Sequence, residues 1–235
     1  MNNPDVISKT FLEFPALLLY LKKPARGIVL EACKTYDYML QVVTRLVRSV
    51  HAGLLGGEFV DIMATLMQGQ ITQAFEQAWI DDGNPLPITG SMAAKASELV
   101  TKYKSFDFIY QYYKDIVDSR VDGTPIAPLL ERAKMWAARY NEAYNEAKAM
   151  IALEMGGKLK WVYGDADHCE TCENLNGIVA YAKVWSDLDV HPQGAPNNHL
   201  QCGGWRCQCQ LIPTNERQSR DAEKRIRIAV ERGSK

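Results

Sequence analysis

The sequence predicts a mainly α-helical protein with a small C-terminal α+β module that is rich in cysteine. Up to about residue 155, apolar residues recur at steps of three and four, which is the spacing of one buried helical face. Beyond that point, five of the six cysteines fall between Cys169 and Cys209, among glycines and prolines. Because this segment has few apolar residues, we expect the cysteines, rather than a large core, to hold its fold.

The length, composition and charge of the chain exclude several classes of protein. The chain has 235 residues, 47% of them hydrophobic, so it can bury the core of one large domain or of two small ones. Its net charge of -1 gives no overall attraction to nucleic acid or to an anionic membrane. The longest apolar run near the N-terminus, residues 14–21, contains Pro15, is too short to cross a bilayer and lacks a signal-peptide pattern. The sequence therefore predicts a cytosolic protein with no transmembrane segment and no membrane partner.

Two helices are predicted in the first eighty residues. The first covers residues 28–50 and carries Cys33 on its apolar stripe, so this thiol is interpreted as part of the core. Glycines at positions 53, 56 and 57 separate it from a second helix over residues 59–79. Glycine and proline within residues 83–87 end that second helix.

Two further helices are predicted before the cysteines. The third begins at a cap, Ser91, and ends in the aromatic segment 106–113. This aromatic segment is interpreted as core, because a platform for stacking bases would need a basic groove beside it. The fourth and longest helix covers about residues 126–155, and Gly156 and Gly157 end it.

The cysteine-rich module is predicted to contain two short strands, at residues 159–163 and 178–181. A charged helix near residues 216–232 closes the chain. The chain is accordingly divided into three regions: a helical N-terminal region 1–125, a cysteine-cluster domain 126–214 and a charged C-terminal helix 215–235.

The cysteine spacing favours a structural zinc site. The module contains a C-x2-C pair followed by a C-x4-C-x-C group, formed by Cys169, Cys172, Cys202, Cys207 and Cys209. One short turn directs two thiolates at a point and a distant turn supplies the others, as tetrahedral zinc requires. Four of these five cysteines are therefore the predicted ligands, and His168 and His199 are close enough in sequence to replace one. Two disulfides, or free thiols, remain the alternative, which a reducing cytosol disfavours.

Two enzymatic interpretations are alternatives to this one. The residues from His168 to Glu170 spell H-x-E, the first half of a zinc deaminase signature, but no P-C-x-x-C second half follows. A cysteine nucleophile with His191 or His199 as its base is the other option, yet no single cysteine is marked as an activated thiolate. The sequence therefore predicts no catalytic residue and no enzyme.

The basic end of the chain raises the possibility of nucleic-acid binding. The cations after residue 216 are Arg217, Arg220, Lys224, Arg225, Arg227, Arg232 and Lys235. Acidic residues interleave with them, so a solvated helix face is the simpler interpretation. A zinc-ribbon-like adaptor that contacts nucleic acid through this helix is the alternative function, although residues 158–213 carry more acids than bases and would repel phosphate.

Three stretches lie within roughly residues 130–214: RAKMWAARYNEAYNEAK, KLKWVYGDADHCETCENLNGIVA and CGGWRCQCQLIP. Together they resemble the phage Mu F-like head morphogenesis family. The matching positions are Arg139, Ala143, Tyr144, Asn145, Trp161, Val162, Asp165, Cys169, Cys172, Leu175, Gly177, Cys207, Cys209, Leu211, Ile212 and Pro213. The chain departs from the family pattern at Tyr140, Asn141, Asn176 and Gln208, and Cys202, Gly203 and Gly204 replace the usual His-Pro approach to the last cysteines.

The resemblance implies a structural minor head protein of a tailed phage or prophage, associated with the portal vertex during capsid assembly or DNA packaging. Its implied partners are the portal protein and other head proteins, with packaged DNA as a further contact. Its implied location is the virion, at the capsid interior or portal vertex, after assembly in the bacterial cytoplasm. Residues 11–23 and the aromatic third helix are the expected docking surfaces, because both have more apolar character than a lone domain needs.

The family's shared cysteines imply one of two metal sets. If the shared cysteines bind, Cys169, Cys172, Cys207 and Cys209 hold the zinc ion and Cys202 is spare. If the C-x4-C segment forms the knuckle instead, Cys209 is the spare thiol.

Overall fold

The computed structural model describes residues 36–88, 90–103, 106–165, 167–193, 197–204 and 207–233. The chain is mainly helical, with a three-stranded antiparallel sheet near its C-terminus and clustered cysteines, which confirms the fold class at this level. The start of the first predicted helix, Cys33, the apolar run 14–21 and the docking segment 11–23 lie outside the described residues. Within the described ranges, no helix combines the length and the apolar character that crossing a membrane requires.

Eight helices and three strands make up the described part of the chain. The elements are α1 (Tyr36–His51), α2 (Glu58–Asp81), α3 (Gly90–Tyr103), α4 (Phe106–Asp122), α5 (Ala127–Glu154), β1 (Lys158–Val162), α6 (Glu170–Leu175), β2 (Val179–Tyr181), α7 (Ala182–Asp187), β3 (Gln210–Thr214) and α8 (Ala222–Gly233).

These elements form two compact units. The first contains the described residues of 36–70 and 101–138, and the second contains those of 71–100 and 139–233. This division differs from the three predicted regions, 1–125, 126–214 and 215–235. The reason is that α2 and α5 are each long enough to begin in the first unit and end in the second, so no cut at one position separates the two cores.

The first unit is built on the apolar face of α1. Its residues Met39, Val42, Val43, Leu46, Val47 and Val50 are buried at steps of three and four, as the sequence periodicity predicts. Burial of each such side chain contributes roughly 1.5–3 kcal/mol. Phe59 of α2 packs edge-on against Tyr112 and stacks on Tyr113, at centroid distances of 5.8 and 6.0 Å. The aromatic segment therefore supplies core residues, while Phe108 on the same helix is 68% exposed.

The predicted third helix is two helices in the structure. The prediction ran from Ser91 into the aromatic segment 106–113, whereas α3 ends at Tyr103 and α4 begins at Phe106. The buried residues of α3 up to Val100 belong to the second unit, and those of α4 belong to the first. A single helix with one continuous apolar stripe could not contribute to both cores, so the chain breaks between α3 and α4.

A substitution at Tyr112 tests the packing of the first unit. Its buried hydroxyl donates a hydrogen bond of 2.6 Å to the carbonyl oxygen of Leu129. We expect Tyr112→Phe to lower the free energy of unfolding by about 1 kcal/mol, because it deletes one buried hydrogen bond and keeps the ring. Urea denaturation measures the difference. Tyr113→Phe is the matched control, since that hydroxyl makes no hydrogen bond to the described residues, and an equal loss in both variants would contradict the assignment.

The second unit contains the sheet, in which β1 is the central strand. β1 pairs antiparallel with β2 and with β3, giving the order β2-β1-β3. The first two strands were predicted, with bounds that differ by one residue at one or both ends, but β3 was not. It includes Pro213, which argues against a strand in sequence analysis. Among the described residues β3 pairs with β1 alone, and an edge strand tolerates proline because one side of it needs no backbone donor.

The C-terminal helix α8, which lies in the predicted region 215–235, packs within this unit. Ile226 and Ala229 are buried in the same apolar cluster as Trp161 and Trp185, whose rings lie 5.8 Å apart. At the end of α8, a Cβ atom on Gly233 would overlap the side chain of Thr171 in α6. Only a glycine lets the last turn of α8 approach α6 this closely.

Tyr144 on α5 controls the ionisation of Asp81 at the end of α2. The Tyr144 hydroxyl donates a hydrogen bond of 2.7 Å to the carboxylate, and this bond, with a second from Gln77, holds the pKa of Asp81 below its ordinary 3.8. The folded state therefore gains stability above pH 3.8, and loses it as the pH falls through the lowered value. We expect Tyr144→Phe to raise the pKa of Asp81, as followed by NMR titration of its carboxyl carbon. Tyr140→Phe is the control and should leave this pKa lowered.

Candidate metal centre

Three separate segments bring the cysteines of the second unit together. Cys169 is the N-cap residue of α6, and Cys172 lies in the first turn of that helix, on its buried side. Cys202 lies in the turn that follows Leu200. Cys207 and Cys209 come just before β3, whose pairing with β1 fixes where they lie. The cluster thus depends on contacts between residues that are far apart in the sequence.

The five sulfur atoms form two groups of three that share Cys172. One group contains Cys169, Cys172 and Cys202, and the other contains Cys172, Cys207 and Cys209; within each group all sulfur atoms lie within 4.8 Å of one another. The sulfur atoms of Cys169 and Cys172 are 3.5 Å apart, far beyond the about 2.05 Å of a disulfide bond. All five thiols are free. The predicted ligands are therefore brought together, and they could hold a metal ion.

The thiols also belong to the core of the second unit. Cys172 and Cys209 are each 1% exposed, and the other three thiols are half-buried against the same apolar cluster. Buried sulfur atoms at this spacing are typical of structural metal sites, in which protein ligands close the coordination shell.

Backbone amides lie beside three of the sulfur atoms and favour their thiolate forms. The amide of Gly164 lies beside Cys209, and that of Gln193 lies beside Cys207. The amide of Gly204 lies beside Cys202 in the same way. Amide donors of this kind stabilise a thiolate and so prepare a cysteine for metal binding.

The indole of Trp161 is a further donor aimed at the cluster. Its Nε1 is buried and makes no hydrogen bond of ordinary geometry to a described residue. It nevertheless lies close enough to Cys209 to favour the thiolate form of that residue. A buried N–H group that faces a sulfur atom fits a site where that sulfur carries negative charge.

The thiols of the cluster shift one another's pKa values. Hydrogen bonds from the thiols of Cys172 and Cys207 lower the pKa of Cys209 to about 3. The same contacts raise the pKa of Cys172, and burial raises the pKa of Cys202 to about 12. One thiolate is thus stabilised at the expense of its neighbours, because several negative sulfur atoms at this range repel each other. A bound metal ion removes this repulsion and deprotonates its ligands.

A glycine makes the approach of the third segment possible. A Cβ atom on Gly164 would overlap the carbonyl oxygen and the Cβ of Gln208. Gln208 lies between Cys207 and Cys209, so Gly164 approaches the backbone that carries both thiols. Sequence analysis did not single out Gly164 or the indole donor of Trp161, since neither has a local signature of sulfur binding.

The histidines separate into two places. His168 stacks on Tyr163 at a centroid distance of 3.7 Å, and its Nδ1 lies 3.6 Å from the sulfur of Cys209. His199 and His191 lie instead beside Asp189, with Nε2 at 3.6 and 3.9 Å from its carboxylate oxygens. Of the two histidines predicted as substitute ligands, His168 is therefore beside a thiol, and His199 is paired with a carboxylate.

Comparison with known proteins adds no relative to this geometry: no protein-family model matches the chain, and neither does any curated protein or any solved structure.

Proposed function

We propose that the chain is a structural minor head protein of a tailed phage or prophage, of the Mu F-like kind, and that zinc bound by cysteines fixes its C-terminal module. The observation that carries the proposal is that the matching positions of the three resembling stretches, from Arg139 to Pro213, all belong to the second unit. Trp161, Leu175 and Leu211 are buried in the same apolar cluster as Cys172 and Cys209. The resembling positions therefore act together, as expected if they define one domain.

The resembling element on α5 is connected to the cysteines through Gln193. Asn145 donates from its side chain to the side-chain oxygen of Gln193, at 3.3 Å. The backbone amide of Gln193 in turn lies beside the sulfur of Cys207 and favours its thiolate form. Gln193 has a left-handed backbone, with φ of 64°, which a non-glycine residue adopts at a cost and only where its surroundings hold it. The contact of Asn145 with Gln193 supports a role for this position near the cysteine cluster.

Zinc is the metal that this donor set favours. The donors are sulfur atoms, which select zinc, copper(I) and iron–sulfur clusters over hard cations. Zinc prefers the tetrahedral arrangement that a turn pair and a second turn provide, and four of the five cysteines suffice to hold it. Because the thiols are buried and lie in the core, the expected role of the metal is structural.

The partners that we propose are the portal protein and other head proteins. Two apolar side chains of α4, Phe108 and Val121, are 68% and 73% exposed on the first unit. Exposure of large apolar groups costs solubility and is common where a second protein binds. The aromatic helix α4 is accordingly the proposed contact, and Phe108→Ser is expected to weaken co-purification with the cognate portal protein.

The alternative function is an adaptor that contacts nucleic acid through α8. The observation in its favour is that Lys224, Arg225 and Arg232 are exposed on this helix. Against it, Arg227 is paired with Glu223, and acidic residues interleave with the cations. An adaptor would bind DNA with an affinity that falls steeply as the salt concentration rises. A head protein without this role would show no such binding.

Quantitative mass spectrometry of gradient-purified procapsids and full heads tests the proposed function. Cells producing the cognate phage supply the particles, and the copies of this chain are counted against the portal protein. A small fixed number per portal ring is the expected result. Absence from both particles would contradict a head role and would favour the adaptor, for which salt-dependent DNA binding is then the measurement.

A further inference from the structure

We propose that the cysteine cluster binds two zinc ions per chain, which share the thiolate of Cys172 as a bridging ligand. This inference rests on the proposed zinc-bound module and goes further, because a structural site of the simplest kind holds one ion. Three observations lead to it: the distances between the sulfur atoms, the position of His168 and the charge of the cluster.

The distances argue against a single centre. Four thiolates around one tetrahedral zinc ion, at about 2.3 Å each, lie roughly 3.8 Å from one another. The cluster instead divides into two groups of three sulfur atoms, and no set of four donors among the described residues meets even a limit of 4.8 Å. Cys172 is the one member of both groups. A thiolate sulfur has more than one lone pair, so it can bind two ions, as in the Zn₂Cys₆ class of modules.

His168 lies beside one member of the second group. Its Nδ1 lies 3.6 Å from the sulfur of Cys209, and stacking on Tyr163 holds the ring in place. A nitrogen and a sulfur bound to one tetrahedral zinc ion are expected at about 3.6 Å from each other, given bond lengths of about 2.1 and 2.3 Å. His168 is not within 4.8 Å of all three sulfur atoms of the group, so it would join Cys172, Cys207 and Cys209 around the second ion after its ring turns toward them.

The charge balance also favours two ions. One Zn²⁺ bound by four thiolates leaves an excess of two negative charges, with the fifth sulfur a neutral thiol, whereas two Zn²⁺ bound by five thiolates leave an excess of one. The excess is costly in a site where Cys172 and Cys209 are 1% exposed, because burial of uncompensated charge is strongly unfavourable. Two ions give every cysteine of the cluster a ligand role, whereas one tetrahedral ion leaves a buried thiol unused.

The number of zinc ions per chain tests the inference. The full-length chain is loaded with Zn²⁺ under a phosphine reductant, and zinc is counted by native mass spectrometry and by elemental analysis. We expect two ions in the wild type, and one ion each in Cys202→Ser and Cys209→Ser, with helical content by circular dichroism as the check on folding. One ion in the wild type would overturn the two-ion site and leave the single zinc-bound module standing. No bound zinc would overturn both.

His168 is tested separately, with a matched histidine as control. His168→Gln is expected to release one of the two ions to a competing chromogenic chelator about tenfold faster, or more, and to leave the other unchanged. His199→Gln removes an imidazole that lies beside Asp189, and it should leave both release rates unchanged. Equal release rates in His168→Gln and the wild type would overturn the assignment of His168 as a ligand.

Discussion

Removal of zinc is expected to unfold the cysteine-rich module and to leave the helices of the first unit folded. The thiols are part of the core of the second unit, and the strands around them are only three to five residues long. Structural zinc contributes about 10–16 kcal/mol in small zinc-dependent peptides, far more than such short strands gain by pairing alone. Loss of the metal also restores repulsion within the cluster, so the folded arrangement loses both its ligand bonds and its charge balance.

Hydrogen exchange followed by mass spectrometry measures this effect region by region. After treatment with a strong chelator, amide protection should be lost across residues 158–214 and retained in residues 36–70 and 106–138. The chelator saturated with zinc beforehand is the control and should change nothing, and added zinc should restore protection. Amide protection that persists in residues 158–214 without metal would show that the apolar core alone keeps the module folded.

Gly164→Ala is expected to cost about 3 kcal/mol or more in the free energy of unfolding of the second unit. The added methyl group would overlap the backbone carbonyl of Gln208, and backbone atoms yield less readily than the end of a flexible side chain. Relief of the overlap would move Cys207 and Cys209 away from β1, so weaker zinc binding should accompany the loss of stability.

Gly57→Ala is the matched control for this substitution. A Cβ atom at Gly57 would meet no atom within 4 Å, so a change within about 0.5 kcal/mol is expected. Urea denaturation with zinc present compares the two variants, and a chelator titration compares their zinc affinities. If Gly164→Ala were as stable as Gly57→Ala and bound zinc normally, the close approach of Gly164 to Gln208 would not matter to the site.

The parts of the fold that were predictable are those set by local pattern. The apolar stripe of α1 and the glycines after α5 are readable in a window of a few residues, and both appear in the structure. The parts that were missed depend on distant contacts. Nothing local distinguishes β3, with its proline, from a loop until β1 is known to lie beside it. The docking of α8 on α6 likewise depends on Gly233 meeting Thr171, about sixty residues away.

The same division holds for the site. The five cysteines were predictable from their spacing, because two turns of the right length are a local property. The grouping around Cys172 was not, since it is set by where three segments meet. The link from Asn145 through Gln193 to Cys207 spans most of the module and has no local signature. Sequence can therefore supply the donors, whereas their arrangement and support come from the tertiary fold.

Segments of the two units alternate along the chain, and this limits how recombination between related genes can replace one unit. The second unit uses residues 71–100 as well as residues 139–233, and the first unit's residues 101–138 lie between them in sequence. A single genetic crossover near residue 126 would transfer the cysteines without the α2 and α3 segments that share their unit. To replace the whole second unit, recombination would have to exchange residues 71–100 and residues 139–233 together. The two units are therefore expected to be inherited together.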